Sequence, residues 1–289
     1  MVDRTLILVR TLIERIFPRG ALVLSVLSLA YFAMGIVRNR VFANTYGAGP
    51  ELDAYNAAFR IPEIIFDVVV ASGLTAPFVP LFLGLREGTN DDEPANDFGR
   101  TVVTAVVLAM GVASAAIFVG APWIATVAVG EFDQPTRDLY VQLLRINCLA
   151  QVLFAASLGL GEILIAHRRF AFYAFAPILY TTGIILGTVL FSSRFGIAAT
   201  AWGAVAGAGA HLVLRAIGTT RTTFRVRPAF HVRTPVFATF VRLMLPRMAS
   251  VGIEPLTFAY FTAVAAGLGA GSITALNFAL DYQVLPVSL

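Results

Sequence analysis

Charged and amide side chains recur at helical spacing inside an otherwise apolar part of the chain. Successive members of this set are three, four, three and four positions apart, which places them on one face of a helix. A charge at the centre of a bilayer costs at least about 2.5–3.5 kcal/mol on insertion scales, so such a face must contact water or other polar groups. The set consists of Asp53, Asn56, Arg60, Glu63 and Asp67.

Two later apolar segments carry a polar stripe of the same kind. Because a polar face is costly against lipid, we expect the three faces to converge on a common interior. Two interiors are compatible with the pattern: a dry one of paired charges that holds helices together, and a water-filled cavity for a polar substrate. We favour the cavity, because unpaired charge is costly to bury without water. The later stripes are Arg247, Ser250, Glu254 and Thr257, then Thr274, Asn277, Asp281 and Ser288.

Two arginines on the first two apolar segments are predicted to lie at similar depth. Arg38 is five residues before the end of the first segment and Arg60 is seven residues into the second, so both are roughly 8–10 Å from the same end. Guanidinium groups at one depth suit bidentate capture of a phosphate or carboxylate. Arg40 is predicted one turn shallower, and Asp53 and Glu63 can pair with the arginines in an empty site. A structural clamp of arginine and glutamate is the alternative, and the two interpretations are compatible.

The elements that position these side chains follow from composition and hydropathy. The 289 residues are 58% hydrophobic and 13% charged, with a mean hydropathy of +0.80. Soluble domains carry about 25% charged residues, so the composition argues against a soluble enzyme, a disordered chain and a nucleic-acid-binding protein. A bilayer core about 30 Å thick needs about 20 apolar residues per helix. We predict an all-α, polytopic membrane helix bundle with spans near 21–43, 54–84, 101–130, 138–166, 171–193, 197–217, 235–265 and 272–289.

The distribution of arginines predicts an orientation. All 21 basic residues are arginine. If the N-terminus is cytoplasmic, thirteen of them lie in cytoplasmic segments, six lie within predicted spans, and only Arg137 and Arg194 lie in external segments. This distribution is the positive-inside pattern.

The same patterns predict four regions. Residues 1–19 are predicted to form an amphipathic helix on the membrane surface. They precede a six-helix lobe at 20–218. A basic cytoplasmic connection at 219–233 should touch anionic lipid headgroups, and the seventh and eighth spans follow at 234–289. Since the last span stops at Leu289 without a polar flank, we expect a longer natural chain.

Other chemistry-bearing residues point to no metal site and no cofactor. The single cysteine, Cys148, excludes an internal disulfide and a cysteine-rich metal site. The three histidines are widely separated, and His211 in the sixth span is predicted to be a packed polar contact. Gly203, Gly207 and Gly209 predict a close helix contact in that span.

Several short motifs near the start of the chain occur together. They are GIVRN at 35–39, YGAG at 46–49, DAYNAAFRIP at 53–62 and APFVP at 76–80. This combination resembles the opening of the MurJ/MviN family of lipid II flippases. Weaker matches to that family are MLPR at 244–247 and LNFA at 276–279, which leads to Pro286.

The resemblance implies a fold and a function. The family belongs to the multidrug/oligosaccharidyl-lipid/polysaccharide (MOP) exporter superfamily, whose members have two six-span bundles, with two further helices in this family. The chain would then be the first bundle followed by spans seven and eight. The implied function is transfer of the undecaprenyl-pyrophosphate-linked peptidoglycan precursor, lipid II, from the inner to the outer leaflet of the bacterial plasma membrane. Alternating access driven by membrane potential or a coupling cation is the implied mechanism.

The resemblance also implies roles for individual residues. Arg38 matches the family's cavity arginine, Asp53 the aspartate that opens the second span, and Arg60 a basic position ahead of a proline. The substrate-binding candidates are therefore Arg38, Arg40, Asp53, Arg60, Glu63 and Arg247, and the candidates for ion coupling are Glu254 and Asp281.

Three positions differ from the family pattern. A second arginine of the first span falls on Phe32, an acidic position of the second span falls on Ala71, and an arginine of the eighth span falls on Asp281. These differences remove positive charge from the predicted pyrophosphate site.

The leading hypothesis is a non-enzymatic lipid II flippase with lipid II and membrane lipids as partners and no nucleic acid. One alternative is an ion-coupled exporter of the same superfamily, or a flippase for another polyprenyl-linked saccharide. A membrane enzyme that acts on polyprenyl phosphates is less favoured, because the sequence contains no recognisable nucleophile–base or metal set. An inactive scaffold is the remaining alternative, since the arginine differences weaken the site.

Overall fold

The computed structural model describes residues 19–88, 91–251 and 253–288, and all regular structure in those residues is helical. This confirms the predicted all-α class. The predicted surface helix at 1–19 lies outside the described residues except for its last position. The helices are α1 (Arg19–Thr45), α2 (Pro50–Phe66), α3 (Ser72–Glu87), α4 (Glu93–Ala128), α5 (Gln134–Ala166), α6 (Phe170–Phe195), α7 (Ala198–Thr219), α8 (Pro235–Val251), α9 (Ile253–Ala266) and α10 (Ser272–Ser288).

Five helical stretches of the described chain are long and apolar enough to cross a bilayer, and they confirm a membrane protein. The predicted total of eight spans stays a prediction. The five stretches are Ser25–Thr45, Glu93–Ala128, Gln134–Ala166, Phe170–Phe195 and Pro235–Ala266.

The second predicted span contains a break that the sequence pattern did not predict. Helix α2 begins with Pro50, whose missing N–H is harmless in a first turn. Between α2 and α3, Asp67–Ala71 form one π-helical turn. A π turn accommodates one residue more than an α turn. The helix therefore continues in direction, but α3 is rotated about its axis relative to an unbroken α-helix.

Glycines bring α6 and α7 into backbone contact. A methyl group at Gly183 would lie 2.6 Å from the Cα of Gly207, and one at Gly187 would lie 2.7 Å from the Cα of Gly203. Real Cβ atoms do not tolerate such distances, so these positions require glycine. Gly209, the third glycine of the predicted face, has nothing within 4 Å and does not take part in this contact.

Two apolar cores lie at opposite ends of the bundle. The core beside the loops at 46–49 and 267–271 includes Leu52, Tyr140 and Ile273. The other core includes Phe78, Phe82 and Phe98, whose rings stack at centroid distances of 5.5–5.6 Å. This second end carries the arginine-rich connections, and we call it the basic end.

A buried polar cluster joins α5, α6 and α7 near the basic end. Arg215 donates to the carbonyl oxygens of Ser157 (3.0 Å) and Tyr173 (3.3 Å), and its guanidinium lies 4.6 Å from the Tyr173 ring centroid. The absence of a side chain at Gly161 leaves room for the guanidinium. Arg215, one of the thirteen arginines counted as cytoplasmic, is 2% exposed inside the bundle. His211 is packed as predicted, with Nδ1 2.6 Å from Ser157 Oγ.

The connection between α7 and α8 spans residues 220–234, close to the predicted 219–233. Helix α8 packs on α3, whereas α9 and α10 pack on α2. The division of the chain into a lobe at 20–218 and further spans at 234–289 stays a prediction. The arrangement of α2 beside α10 is what builds the site described next.

Candidate functional site

A cavity of about 620 Å³ lies between α1, α2, α6, α9 and α10. Its walls combine polar side chains from the first, second and eighth predicted spans with aromatic side chains from several helices. The convergence expected of the polar stripes is therefore present for two of the three. The polar lining consists of Arg38, Asn39, Asn56, Arg60, Glu63, Asn277 and Asp281.

Arg38 enters the cavity from α1 as part of a three-residue cluster. Its Nη2 donates to Asp281 Oδ2 at 2.7 Å, and its Nε and Nη2 donate to Asn39 Oδ1 at 3.1 and 3.0 Å. Asn39 Nδ2 donates to the same Asp281 oxygen at 2.9 Å. Since a guanidinium has five N–H donors, Nη1 remains without a hydrogen-bond partner among the described residues. This group is available to a ligand.

Arg60 enters the same cavity from α2. Its Nη2 donates to Asn277 Oδ1 at 2.9 Å, and its guanidinium carbon lies 5.9 Å from the Phe258 ring centroid. Its Nη1 has no hydrogen-bond partner among the described residues and is open to a ligand, whereas the Nε is unpartnered there but buried. Unsatisfied donors are costly in a low-dielectric site, and an anionic ligand would satisfy the accessible one.

Glu63 and Asp281 place two carboxyl groups in the wall that holds the two arginines. Glu63 lies one helical turn after Arg60 on α2 and is half-buried, whereas the Asp281 side chain is 46% exposed. The formal charges of these four residues balance. The site therefore offers guanidinium donors without a large excess of positive charge.

Asp53 belongs to the stripe of α2 but does not line the cavity. Its carboxylate accepts hydrogen bonds from Thr274 N (2.8 Å), Thr274 Oγ1 (2.6 Å) and Gly271 N. The N-terminus of a helix has unpaired N–H groups and a partial positive charge, so a buried carboxylate is well placed there. The structure gives Asp53 the role of a cap on α10, rather than the predicted place in the substrate cavity.

The remaining predicted site residues lie elsewhere. Arg40 is exposed and absent from the cavity wall. Arg247 and Ser250 line a separate open groove of about 440 Å³ with Pro77, because α8 packs on α3. The Glu254 side chain lies outside the described residues. Of the stripe predicted on the seventh span, none of the described side chains reaches the cavity; α9 contributes Phe258 to its wall instead.

Sequence reasoning missed Asn39 and the tyrosines of the wall. Asn39 was detectable as the neighbour of a buried arginine. Tyr31, Tyr55 and Tyr180 carry no spacing that separates them from ordinary apolar residues of a span, and they also line the cavity. In the described part of the chain, no group of three or more histidine, cysteine, aspartate or glutamate side chains is arranged to hold a metal ion.

A helical bundle with apolar spans and a polar cavity between its helices defines a multi-pass membrane protein. A family model described as "Lipid II flippase MurJ" matches residues 42–289. The chain therefore belongs to the MurJ family.

Individual relatives agree with this assignment. A Borreliella burgdorferi protein described as "Probable lipid II flippase MurJ" is 27% identical over 256 residues, covering 89% of this chain and 50% of the relative. "Lipid II flippase MurJ" of Burkholderia cenocepacia is 24% identical over 283 residues, covering 94% and 54%. A solved structure titled "Lipid II flippase MurJ, inward closed conformation" superposes with a TM-score of 0.77 at 21% identity, covering 93% of this chain and 56% of that one. The chain spans about half the length of these relatives.

Proposed function

We propose that this chain forms part of a lipid II flippase, in which the cavity holds the pyrophosphate of an undecaprenyl-linked saccharide during its transfer to the outer leaflet. The observation that carries the proposal is the pair of guanidinium groups, Arg38 and Arg60, with unpartnered N–H donors in one cavity. Each charge-assisted hydrogen bond to phosphate contributes about 1.5–3 kcal/mol. The relatives are described as lipid II flippases, which supports the same substrate.

The space around these donors fits a pyrophosphate with part of the attached saccharide. The volume of about 620 Å³ is in the range of sites that enclose a compact polar ligand. A second pocket of about 220 Å³ adjoins the Arg38–Asp281 pair and is lined by Phe32, Ile36 and Tyr282. We infer that the pyrophosphate occupies the polar cavity while the first units of the polyprenyl chain lie in this adjoining pocket.

The Asp53 cap supports an alternating-access mechanism. It joins α2 to the start of α10 at the end of the bundle opposite the basic end. With the N-terminus in the cytoplasm of a bacterial plasma membrane, this contact closes the outer side of the cavity. Release of substrate to the outer leaflet then requires Asp53 to separate from α10.

The proposal is tested with the full-length protein in a depletion–rescue assay and in a flipping assay. Replacement of both arginines (Arg38→Ala with Arg60→Ala) should reduce flipping at least tenfold and abolish rescue, because the pyrophosphate loses its donors. The matched control is Arg194→Ala. This variant removes an exposed arginine outside the cavity, at the end of the bundle opposite the basic end, and should behave as wild type. Full rescue and normal flipping by the double variant would contradict the proposal.

A second candidate function is an ion-coupled exporter for a cationic substrate. The observation that favours it is the pair of carboxyl groups in the wall, Glu63 and Asp281. Efflux that depends on a sodium or proton gradient, occurs without any change in lipid precursors and is lost in Glu63→Gln would support this candidate. If the protein is instead a flippase and the Glu63 carboxylate does not contribute to it, Glu63→Gln should flip lipid II normally.

A further inference from the structure

The connection at 220–234, which we call the strap, is held firmly against the first turns of α4. Arg100 Nε donates to the carbonyl oxygen of Arg225 at 3.0 Å, and the backbone N–H of Ala229 donates to Thr104 Oγ1 at 3.2 Å. Phe224 is 2% exposed and belongs to the apolar core of the basic end. The strap is thus an irregular segment with a defined path.

That path leads to the edge of the apolar part of α4. The hydrogen bonds begin at Asn96, which donates to the carbonyl oxygen of Thr223, and proceed to Thr104, roughly 12 Å along the helix. The chain then returns, and His231 Nδ1 lies 2.8 Å from Asp97 Oδ2. From residue 105 to residue 128, α4 contains no charged side chain. The tip of the strap therefore lies where a bilayer surface would meet this helix.

The exposed side of the strap combines arginines with apolar side chains. The guanidinium groups of Arg225, Arg227 and Arg233 are exposed and have no hydrogen bond or ion pair with any described residue. Val226 and Phe230 are 57% and 60% exposed. All five side chains are exposed within a segment of nine residues, so a bilayer surface at the tip of the strap is within reach of both the arginines and the apolar groups.

Nearby acidic residues do not neutralise these arginines. Glu93 pairs with Arg100 at 2.7 Å, and Asp97 lies against His231. Asp92 pairs with Arg86 at 2.8 Å. The strap consequently presents positive charge that the neighbouring part of the protein leaves uncompensated.

We propose that the strap is a lipid-binding element: Arg225, Arg227 and Arg233 bind the phosphates of anionic phospholipids, while Val226 and Phe230 insert at the level of the headgroups. Basic side chains are attracted to anionic bilayer surfaces, and apolar side chains beside them are buried at the interface. The position of the strap at the start of the apolar run of α4 favours a bilayer over an acidic protein as the occupant. This inference does not depend on which substrate is transported.

The experiment uses full-length protein in nanodiscs of phosphatidylcholine alone or with 30% phosphatidylglycerol. A bimane label is attached to Val226→Cys in a Cys148→Ala background, and its quenching by lipids brominated near the headgroup is measured. Phosphatidylglycerol should increase quenching at least threefold. The variants Arg225→Gln with Arg227→Gln, and Phe230→Ser, should each return quenching to the level in phosphatidylcholine.

Two controls keep this test specific. A label at Val213, an exposed apolar position on α7, should be quenched by lipids brominated in the acyl chains to the same extent in both lipid mixtures. The charge variant Arg194→Gln should leave the signal at position 226 unchanged. Either of two results would overturn the proposal: equal quenching at position 226 in both lipid mixtures, or quenching that does not change in the arginine variants. Shielding of the label without quenching by lipid would also overturn it and would indicate a protein partner.

Discussion

Asp53 and Arg60 lie on the same face of α2, two helical turns apart, yet their surroundings are opposite. Asp53 is 2% exposed and accepts three hydrogen bonds from the start of α10. Arg60 makes one side-chain hydrogen bond, to Asn277, and its remaining donors face a cavity. Both contact α10, so the difference is in how completely each charge is satisfied.

This difference separates a structural contact from a ligand site. A buried charge with all its hydrogen bonds made fixes two helices relative to each other. A charge with donors left over is stable only beside water or a ligand. Spacing along the helix is the same in both cases, so a polar stripe by itself does not say which of its members binds substrate.

The largest effect on stability is expected at Asp53, whose carboxylate has all its hydrogen bonds made. Asp53→Ala leaves the N–H groups of Gly271 and Thr274 without their acceptor, which should reduce stability by about 3 kcal/mol. The midpoint of thermal unfolding of the full-length protein in detergent measures this. Asp53→Glu, with a longer side chain, serves as the comparison and should recover part of the loss. A midpoint within 1 °C of wild type for Asp53→Ala would show that the cap is not important.

Arg60 should show the opposite behaviour, with loss of function and little loss of stability. Arg60→Ala removes donors that face the cavity, so binding of undecaprenyl pyrophosphate should weaken by about tenfold to a hundredfold, corresponding to about 1.4–3 kcal/mol. Thermal unfolding should change little or rise, because an unsatisfied buried charge is removed. Titration of the purified full-length protein with this ligand, alongside Arg194→Ala, gives the measurement. If Arg60→Ala lowered stability as much as Asp53→Ala does, Arg60 would be a structural contact like Asp53 and not a ligand-binding group.

A smaller effect is expected when only one of the hydrogen bonds between Asp53 and the start of α10 is lost. Thr274→Val removes the hydroxyl donor to Asp53 but retains the backbone N–H, so stability should fall by about 1 kcal/mol. The hydroxyl also accepts a long hydrogen bond from Asn56 Nδ2, at 3.4 Å, but Thr274 itself is absent from the cavity wall, so binding of the ligand should change little. Thermal unfolding and ligand titration on the same preparation test both statements, and a binding defect without destabilisation would contradict them.

The smallest effect on stability is expected at Asp281. Its ion pair with Arg38 is partly exposed, at 25% and 46% for the two side chains, so Asp281→Asn should change stability by less than about 1 kcal/mol. The same variant frees Arg38, and binding of undecaprenyl pyrophosphate should tighten several-fold. Asn277→Leu is the control on the same helix, since it removes the Arg60 contact without altering charge. Weaker binding by Asp281→Asn would mean that the carboxylate assists the anion site.

Much of the fold was accessible from the sequence because it depends on hydropathy and local spacing. Helix covers nearly all of each predicted span, although the helix at 101–130 begins earlier, at Glu93, and the spans at 54–84 and 235–265 each contain two helices. Arg38, Arg60 and Glu63 line a common cavity, as their predicted depth and the stripe of the second span indicated. The partner of Arg38 was not accessible, because Asp281 is 243 positions away in the chain. No local pattern reports a contact between helices that distant.

Two arginines show what spacing along the chain leaves open. Arg247 was expected in the cavity, and Arg215 was counted only as a cytoplasmic arginine; neither expectation identified the helix that the side chain would contact. Helix α8 packs on α3, which turns Arg247 to a different groove, and α7 packs between α5 and α6, which buries Arg215. Periodicity identifies a polar face but not the helix that it meets.

The π turn at Asp67–Ala71 has a consequence for how the second span tolerates change. Because the turn already takes up one residue more than an α turn, deletion of one position there would restore α-geometry and leave the downstream residues on nearly the same face of the helix. Phe78 and Phe82 would then stay in the aromatic core of the basic end. Straightening the turn to α-geometry without a deletion would instead rotate α3 by about 100° relative to α2, so the span tolerates the loss of a residue here better than the loss of the π turn itself.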